Sequence, residues 1–261
     1  MSYLLEKSRL QYNRNSDYNR TVVISKSTRN YTNNQKIVEV LNSNSWLNQP
    51  SFIIGGGESI KGLDFSLLDN FNTIGINKTF QYYSKAKINY SMDVDFYNKI
   101  HDGTFSEYSG MDVKEKWLSF QGHRIFLTPL AFKNFGTDVH VIRRLPEKFV
   151  SRNLDVGIYS GKNSAMGALM LAVALGSTTI YLLGYDMIAK TQSHWHDGYA
   201  KRDIEEFNIK LDQYKQEFVE MQPLLEEAGV TVINLNPNSN LKCFPFSTLE
   251  ETLKGLTSAN L

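Results

Sequence analysis

The stretch Ser51-Phe52-Ile53-Ile54-Gly55-Gly56-Gly57-Glu58-Ser59 joins a short apolar run to three glycines and then to Ile60-Lys61-Gly62-Leu63. A brief uncharged apolar run stopped by glycine is the pattern of a parallel strand buried on both faces. Glycines in the turn that follows let the backbone approach a ligand, and the N–H groups of a helix start can cradle phosphate. We therefore read Gly55, Gly56, Gly57 and Ser59 as a candidate nucleotide-binding turn. The alternative is a tight turn with no ligand.

Working outward, the same strand pattern returns at Thr73-Ile74-Gly75-Ile76. Weaker candidates follow at 88–92, 124–127 and 139–142. Asn163-Ser164 offers helix N-cap chemistry before an apolar helix from Ala165 to Leu175, which Gly176 ends. Thr179-Ile180-Tyr181-Leu182-Leu183 is then a buried strand, Asp203 to Glu227 a long amphipathic helix that Pro223 kinks or divides, and Thr231-Val232-Ile233 a last strand. Ser247-Thr248-Leu249-Glu250 has the form of a capping box. Tyr97 to Trp117 is polar, aromatic and poorly periodic, which predicts a long loop at a binding rim. Alternating strands and helices predict an α/β, Rossmann-like, mostly parallel sheet with helices on both faces. Residues 1–50, rich in Asn, Ser and Tyr, with short apolar stretches at 21–24 and 37–41, are expected to form an N-terminal extension carrying one strand and one helix, a disordered arm being the alternative for the first 20 residues. The nucleotide-binding α/β domain then runs over 51–261.

Composition limits the partners. The chain of 261 residues is 41% hydrophobic and 21% charged with a formal charge of +1, so no global basic field argues for nucleic acid. A single cysteine, Cys243, excludes a disulfide framework within one chain. The first residues lack the apolar run of a signal peptide, and no stretch reaches the roughly 18 uninterrupted apolar residues of a membrane span. The expectation is a cytoplasmic protein, with peripheral membrane contact and a homo-oligomer left open.

Ligands in open α/β sheets bind beyond the carboxyl ends of the strands. Gly55, Asn77, Asp93 and Asp186 all fall just past expected strand ends, which points to one crevice. The dinucleotide fingerprint wants a further glycine where Ile60 stands and an acidic residue about 20 positions on, whereas the second strand ends in Asn77. A dehydrogenase site is disfavoured on that ground. Ser193-His194-Trp195-His196-Asp197-Gly198-Tyr199 is the second concentration of chemistry, within a lid-like loop expected around 187–201. In an extended segment His194 and His196 point the same way. Histidine titrates near neutrality and fits a general base. A metal site would need ligands from elsewhere, and surface histidines without a role are the bland alternative. Trp195 reads either as a stacking wall or as an anchor for the loop. Asn236 and Ser239, in Asn234-Leu235-Asn236-Pro237-Asn238-Ser239, follow the last strand and either face the crevice or simply turn the chain.

Together these segments resemble the bacterial family-42 sialyltransferases over roughly residues 51–245. The resemblance lies in Ile53 to Ile60 with Leu63-Asp64-Phe65-Ser66-Leu67-Leu68 behind it, in Ile74-Gly75-Ile76-Asn77, and in Ser164 through Gly176. It continues in Ile180 through Asp186, in Ser193-His194-Trp195-His196, and in Asn236-Pro237-Asn238-Ser239. Gly56 stands where that family has a nucleotide-contacting asparagine, Glu58 where it has proline, and Asp93 about where it has another asparagine. No arginine lies directly ahead of Ser164; Lys162 and Arg152 are the nearest cations.

The resemblance implies a GT-A-like variant of the sialyltransferase type. Such an enzyme transfers a sugar from a CMP-type nucleotide donor to a hydroxyl of a glycan or other acceptor, with no cofactor required. By resemblance His196, or else His194, is the base, Tyr181 or Tyr185 steadies the departing phosphate, and Gly55–Ser59, Asn77, Asp93, Ser164, Ala165, Asp186, Asn236 and Ser239 hold the nucleotide. A second resemblance, to the archaeal 6-hydroxymethylpterin diphosphokinase-like proteins and to phage and bacterial proteins of unassigned role, implies instead Mg2+ and ATP. Asp93 and Asp186 would then converge on the triphosphate as metal ligands. A non-enzymatic nucleotide-binding module is the third possibility.

Overall fold

The computed structural model describes residues 37–105, 112–128, 135, 137–196, 199 and 202–258. The apolar stretch at 21–24 and Asp197 of the histidine loop lie outside the described residues.

Eight strands form one sheet: β1 Ser51–Ile54, β2 Asn72–Ile76, β3 Ile88–Ser91, β4 His123–Thr128, β5 His140–Leu145, β6 Ile158–Tyr159, β7 Thr179–Leu183 and β8 Thr231–Asn234. Their order is β6-β5-β4-β3-β2-β1-β7-β8, and every pairing is parallel. The fold is thus an α/β, Rossmann-like parallel sheet. From β1 the chain steps outward to β6, then returns to place β7 on the other side of β1. The switch point therefore lies between β1 and β7, paired from Ser51 opposite Ile180 to Ile54 opposite Leu183. Crevices open at such points because the two connecting segments leave in opposite directions.

Alternation along β1 shows why both faces are covered. Ile53 joins the cluster packed under α3 (Ser164–Ala174) and α4 (Ile204–Glu227). Phe52 and Ile54 join the opposite cluster with α1 (Val94–His101), α2 (Val113–Ser119) and the apolar side of α5 (Leu249–Ser258). The α3 helix is apolar on all sides because it lies buried between the sheet and its neighbours; Met166 to Leu175 show almost no exposed surface.

Three local expectations differ from the structure. Within the described part of 97–117, residues 97–101 belong to α1 and 113–117 to α2, whose buried pairs Phe96/Ile100 and Val113/Trp117 recur at four-residue spacing. The α4 helix runs through Pro223 unbroken, since buried Phe218, Met221 and Leu225 pin both of its halves to the core. The capping box sits one residue later than expected: Thr248 N donates to Glu251 at 3.1 Å, and Glu251 N donates back to Thr248 Oγ1 at 3.2 Å. Residues 37–50 pack on the domain. Ile37 and Trp46 are buried in its core, and Trp46 N donates to Leu175 O at 2.7 Å. Among the described residues no helix is long and apolar enough to cross a membrane.

Candidate functional site

A cleft of about 560 Å³ opens at the switch point. It is walled by the ends of β1, β2, β3 and β7, the start of α3, one side of α4 and the segment 187–196. Gly55, Gly56, Gly57, Asn77, Asp93, Ser164, Ala165, Tyr185, Asp186, His194 and His196 all line it. Ser59, Tyr181, Asn236 and Ser239 do not.

The glycine turn is followed by a single 3₁₀ turn, Glu58–Ile60, rather than an α-helix. Three amides along it already have partners. Gly55 N donates to Leu183 O and Gly57 N to Gly184 O, both at 2.8 Å, and Ser59 N donates to the Asp186 carboxylate at 2.8 Å. Asp186, 6% exposed, also accepts from the Ser59 hydroxyl and from Asn236 Nδ2 at 2.9 Å. Ser239 Oγ donates within the same turn, to Tyr185 O at 2.7 Å. Ser59, Asn236 and Ser239 therefore brace the turn after β7 from behind. A Cβ on Gly57 would stand 2.4 Å from Asp186 Cγ, so the glycine is needed for the carboxylate to reach across. Asp186 is engaged by three donors, and Asp93 is the N-cap of α1, accepting from Asp95 N at 2.9 Å. Asp186 thus has both carboxylate oxygens engaged by protein donors, whereas Asp93 uses one, and among the described residues no group of three or more His, Cys, Asp or Glu could hold a metal ion.

Open backbone donors occur instead at the start of α3. The first amides of any α-helix lack intrahelical acceptors. Asn163 Oδ1 caps Met166 N at 2.8 Å, which leaves the amides of Ser164 and Ala165, two residues that line the cleft, without an intrahelical acceptor. Glu217 fixes this end from outside by accepting from Lys162 N and Asn163 Nδ2, each at 3.0 Å. The Lys162 side chain is exposed at the rim, joined by Lys99 of α1 and Arg202 ahead of α4. Arg152 is turned away, donating to Ala228 O at 2.9 Å.

The two tyrosines expected to hold a phosphate are engaged elsewhere. Tyr181 points to the opposite face of the sheet, stacked on Phe52 with ring centroids 4.9 Å apart. The Tyr185 hydroxyl donates to Ala165 O at 2.9 Å, and burial, then neighbouring Tyr90, raises its pKa well above the usual value. Tyr185 therefore steadies the first turn of α3.

Backbone strain marks two lining residues. Asn77 has φ 51° and Met187 φ 49°, both in the left-handed region. Asparagine tolerates that region, and Asn89 Nδ2 secures the bend by donating to Asn77 O at 3.0 Å. Met187 has no such tolerance, and strain of this kind gathers at functional sites.

The histidine loop lies across the glycine turn. Trp195 is its anchor: its backbone N donates to Gly56 O and its indole Nε1 to Gly55 O, each at 3.1 Å, and its ring packs on Phe65 and Tyr82. His194 sits so close to Gly56 that a Cβ there would lie 2.8 Å from its Cδ2. Burial, followed by the charges of His196, Arg202 and Lys78, pushes its pKa down to about 3. It is neutral at physiological pH, with Nδ1 2.9 Å from Ser193 Oγ. His196 stacks on Tyr82, ring centroids 5.0 Å apart, and lies 5.7 Å from the His194 ring. Behind the wall, Lys78 has no exposed surface; its ammonium lies 3.6 Å from the Phe105 centroid and 4.4 Å from that of Tyr199. Burial, then nearby Lys99, draws its pKa down to about 8.

Sequence reasoning did not single out Lys99, Arg202, Phe207, Tyr214 or the buried Lys78. Each is an ordinary residue of a helix or turn; the packing of α1 and α4 around the crevice brings the first four to it, and Lys78 lies behind its wall.

No protein-family model and no curated protein matches the chain. Among solved structures it is similar to the sialyltransferase CstII from Campylobacter jejuni, determined in complex with the substrate analogue CMP-3FNeuAc. The identity is 15% and the TM-score 0.44, with 76% of this chain and 85% of that one covered. A likeness at that level carries no argument about chemistry, which rests on the cleft itself.

Proposed function

We propose that this chain is a glycosyltransferase that takes a sugar from a nucleotide-activated donor, by sequence resemblance a CMP-linked sugar, and passes it to an acceptor hydroxyl. The observation that carries the reading is the meeting, in one crevice, of open helix-start amides, three cationic side chains and a pair of histidines. The donor phosphate lies against Ser164 and Ala165, where the amides and the positive end of the α3 dipole favour an anion, with Lys162 beside them. Gly55 to Gly57, Asn77 and Asp93 border the nucleoside. Fixed donors aimed where charge develops on the leaving phosphate lower the barrier without a metal.

The base is His196. A histidine whose pKa lies near 3 is a poor proton acceptor at neutral pH, because a base works best with a pKa near the operating pH. His194 acts as a neutral hydrogen-bonding wall beside it. Asp186 braces the glycine turn, which makes the magnesium-ATP reading the weaker one. His196→Ala, assayed by CMP release from a CMP-linked sugar, is expected to keep CMP affinity and lose about 10² to 10⁴ in turnover. Turnover undiminished in His196→Ala, in His194→Ala and in the double variant would sink the reading.

A further inference from the structure

The segment 190–196 carries both histidines yet has no regular secondary structure, so its shape depends on tethers to other elements. One is Trp195 on the glycine turn. The second comes from the opposite end of the same turn. Glu58 Oε1 accepts from Thr191 N at 3.0 Å and from Gln192 N at 2.6 Å, and Glu58 Oε2 accepts from Thr191 Oγ1 at 3.2 Å. One carboxylate thus gathers three donors from two adjacent residues. Both oxygens are used, and the chain is fixed at a point two residues ahead of His194.

We propose that Glu58 is the positioning residue of the histidine loop, holding residues 191–192 so that His194 seats on Gly56 and His196 faces the cleft. The inference deepens the transferase reading above and rests on it for any consequence in turnover. The geometry itself stands apart from that reading. Two tethers, Glu58 and Trp195, bracket a short stretch whose middle residue, His194, fits only where Gly56 lacks a Cβ. With one tether released the loop can pivot on Trp195, and His194 is the group that leaves its buried seat. A carboxylate suits this role. Burial works to raise the Glu58 pKa, yet the hydrogen bonds from Gln192 and Thr191 prevail and hold it below the usual range. The acceptor is therefore ionised, and strongest, at neutral pH.

His194 itself reports the position of the loop. Seated, it is desolvated and faces His196, Arg202 and Lys78, which together keep it neutral down to about pH 3. Unseated, it returns toward the ordinary value of about 6.5. The test is an NMR titration of the His194 imidazole, identified with His194→Asn, in the wild type, Glu58→Gln and Glu58→Ala. The same samples are measured for CMP binding and for CMP release from a CMP-linked sugar. Glu58→Gln keeps one acceptor and Glu58→Ala none, so the pKa is expected to rise by at least one unit in the first and further in the second. Turnover should fall tenfold or more, with partial recovery in Glu58→Asp, and the CMP titration separates that loss from any loss of nucleotide affinity. A His194 pKa unmoved in both variants overturns the proposal, whether or not the chain turns over a sugar nucleotide. A wild type inactive toward the sugar nucleotide, with His194 still moving in the variants, counts against the transferase reading and for the tether.

Discussion

At the scale of single residues, the cleft is organised by carboxylates with structural duties. Asp186 was legible in the sequence as an acidic residue just past a strand end, and that place suggests a metal or ligand contact. What it touches was not legible, because Ser59 and Asn236 lie 127 and 50 residues away along the chain. Asp186→Asn replaces one acceptor oxygen with a donor facing Ser59 or Asn236. It is expected to cost about 1–3 kcal/mol of stability, the penalty of an unpaired buried polar group. In thermal unfolding that is a fall of several degrees, at roughly 2–4 °C per kcal/mol for a chain of this size. A melting temperature equal to the wild type's would contradict the bracing role. His194 and His196 were visible as a pair, but their difference was not. It arises from the contact of His194 with Gly56, which no local pattern encodes.

At the scale of elements, most strands were legible because a buried parallel strand is a bare apolar run between breakers. The α3 helix was legible from its Asn163 cap and its end at Gly176. The short helices α1 and α2 were not. Each has only two turns and one pair of buried side chains, too few to establish a period against the polar residues around them. The move of the proposed phosphate site from the glycine turn to α3 has the same origin. Sequence shows where glycines lie, and not that the carbonyls of Leu183 and Gly184 take up the amides of Gly55 and Gly57. In the proposed site Lys162, at the head of α3, contributes to anion binding from the surface. Lys162→Ala should weaken CMP binding roughly three- to tenfold at low salt, about 1 kcal/mol, with the loss shrinking as salt screens the charge. Calorimetric titration at two salt concentrations checks it. An affinity unchanged at low salt would remove Lys162 from the site.

For the whole molecule, the order of the sheet explains why residues far apart in sequence share one crevice: β1 and β7 leave the switch point in opposite directions, and the α3 start and the histidine loop both close over it. The expected boundary at residue 50 falls in a stretch whose packing is tertiary, since Trp46 fills a site against Leu175 that sequence composition does not reveal. Global stability also carries the signature of the buried histidine. Between about pH 6.5 and 3 the unfolded chain binds a proton at His194 that the native chain does not. Stability must therefore fall as pH drops through that window and be unaffected by this group above it. Denaturant unfolding of the wild type against His194→Asn at pH 7.5 and pH 5 should show the wild type losing on the order of 1–2 kcal/mol more over that interval. Parallel curves would mean that His194 is not seated as described.

The central claim is that this crevice binds a nucleotide through helix-start amides and cations without help from a metal. Its most direct test is thermal unfolding with cytidine, uridine, guanosine and adenosine nucleotides, each with magnesium and with a chelator. A ligand that binds only the native state raises the melting temperature by mass action. The predicted result is a saturable rise with CMP that is the same in chelator as in magnesium. A rise confined to ATP with magnesium, or none across the panel, would contradict it.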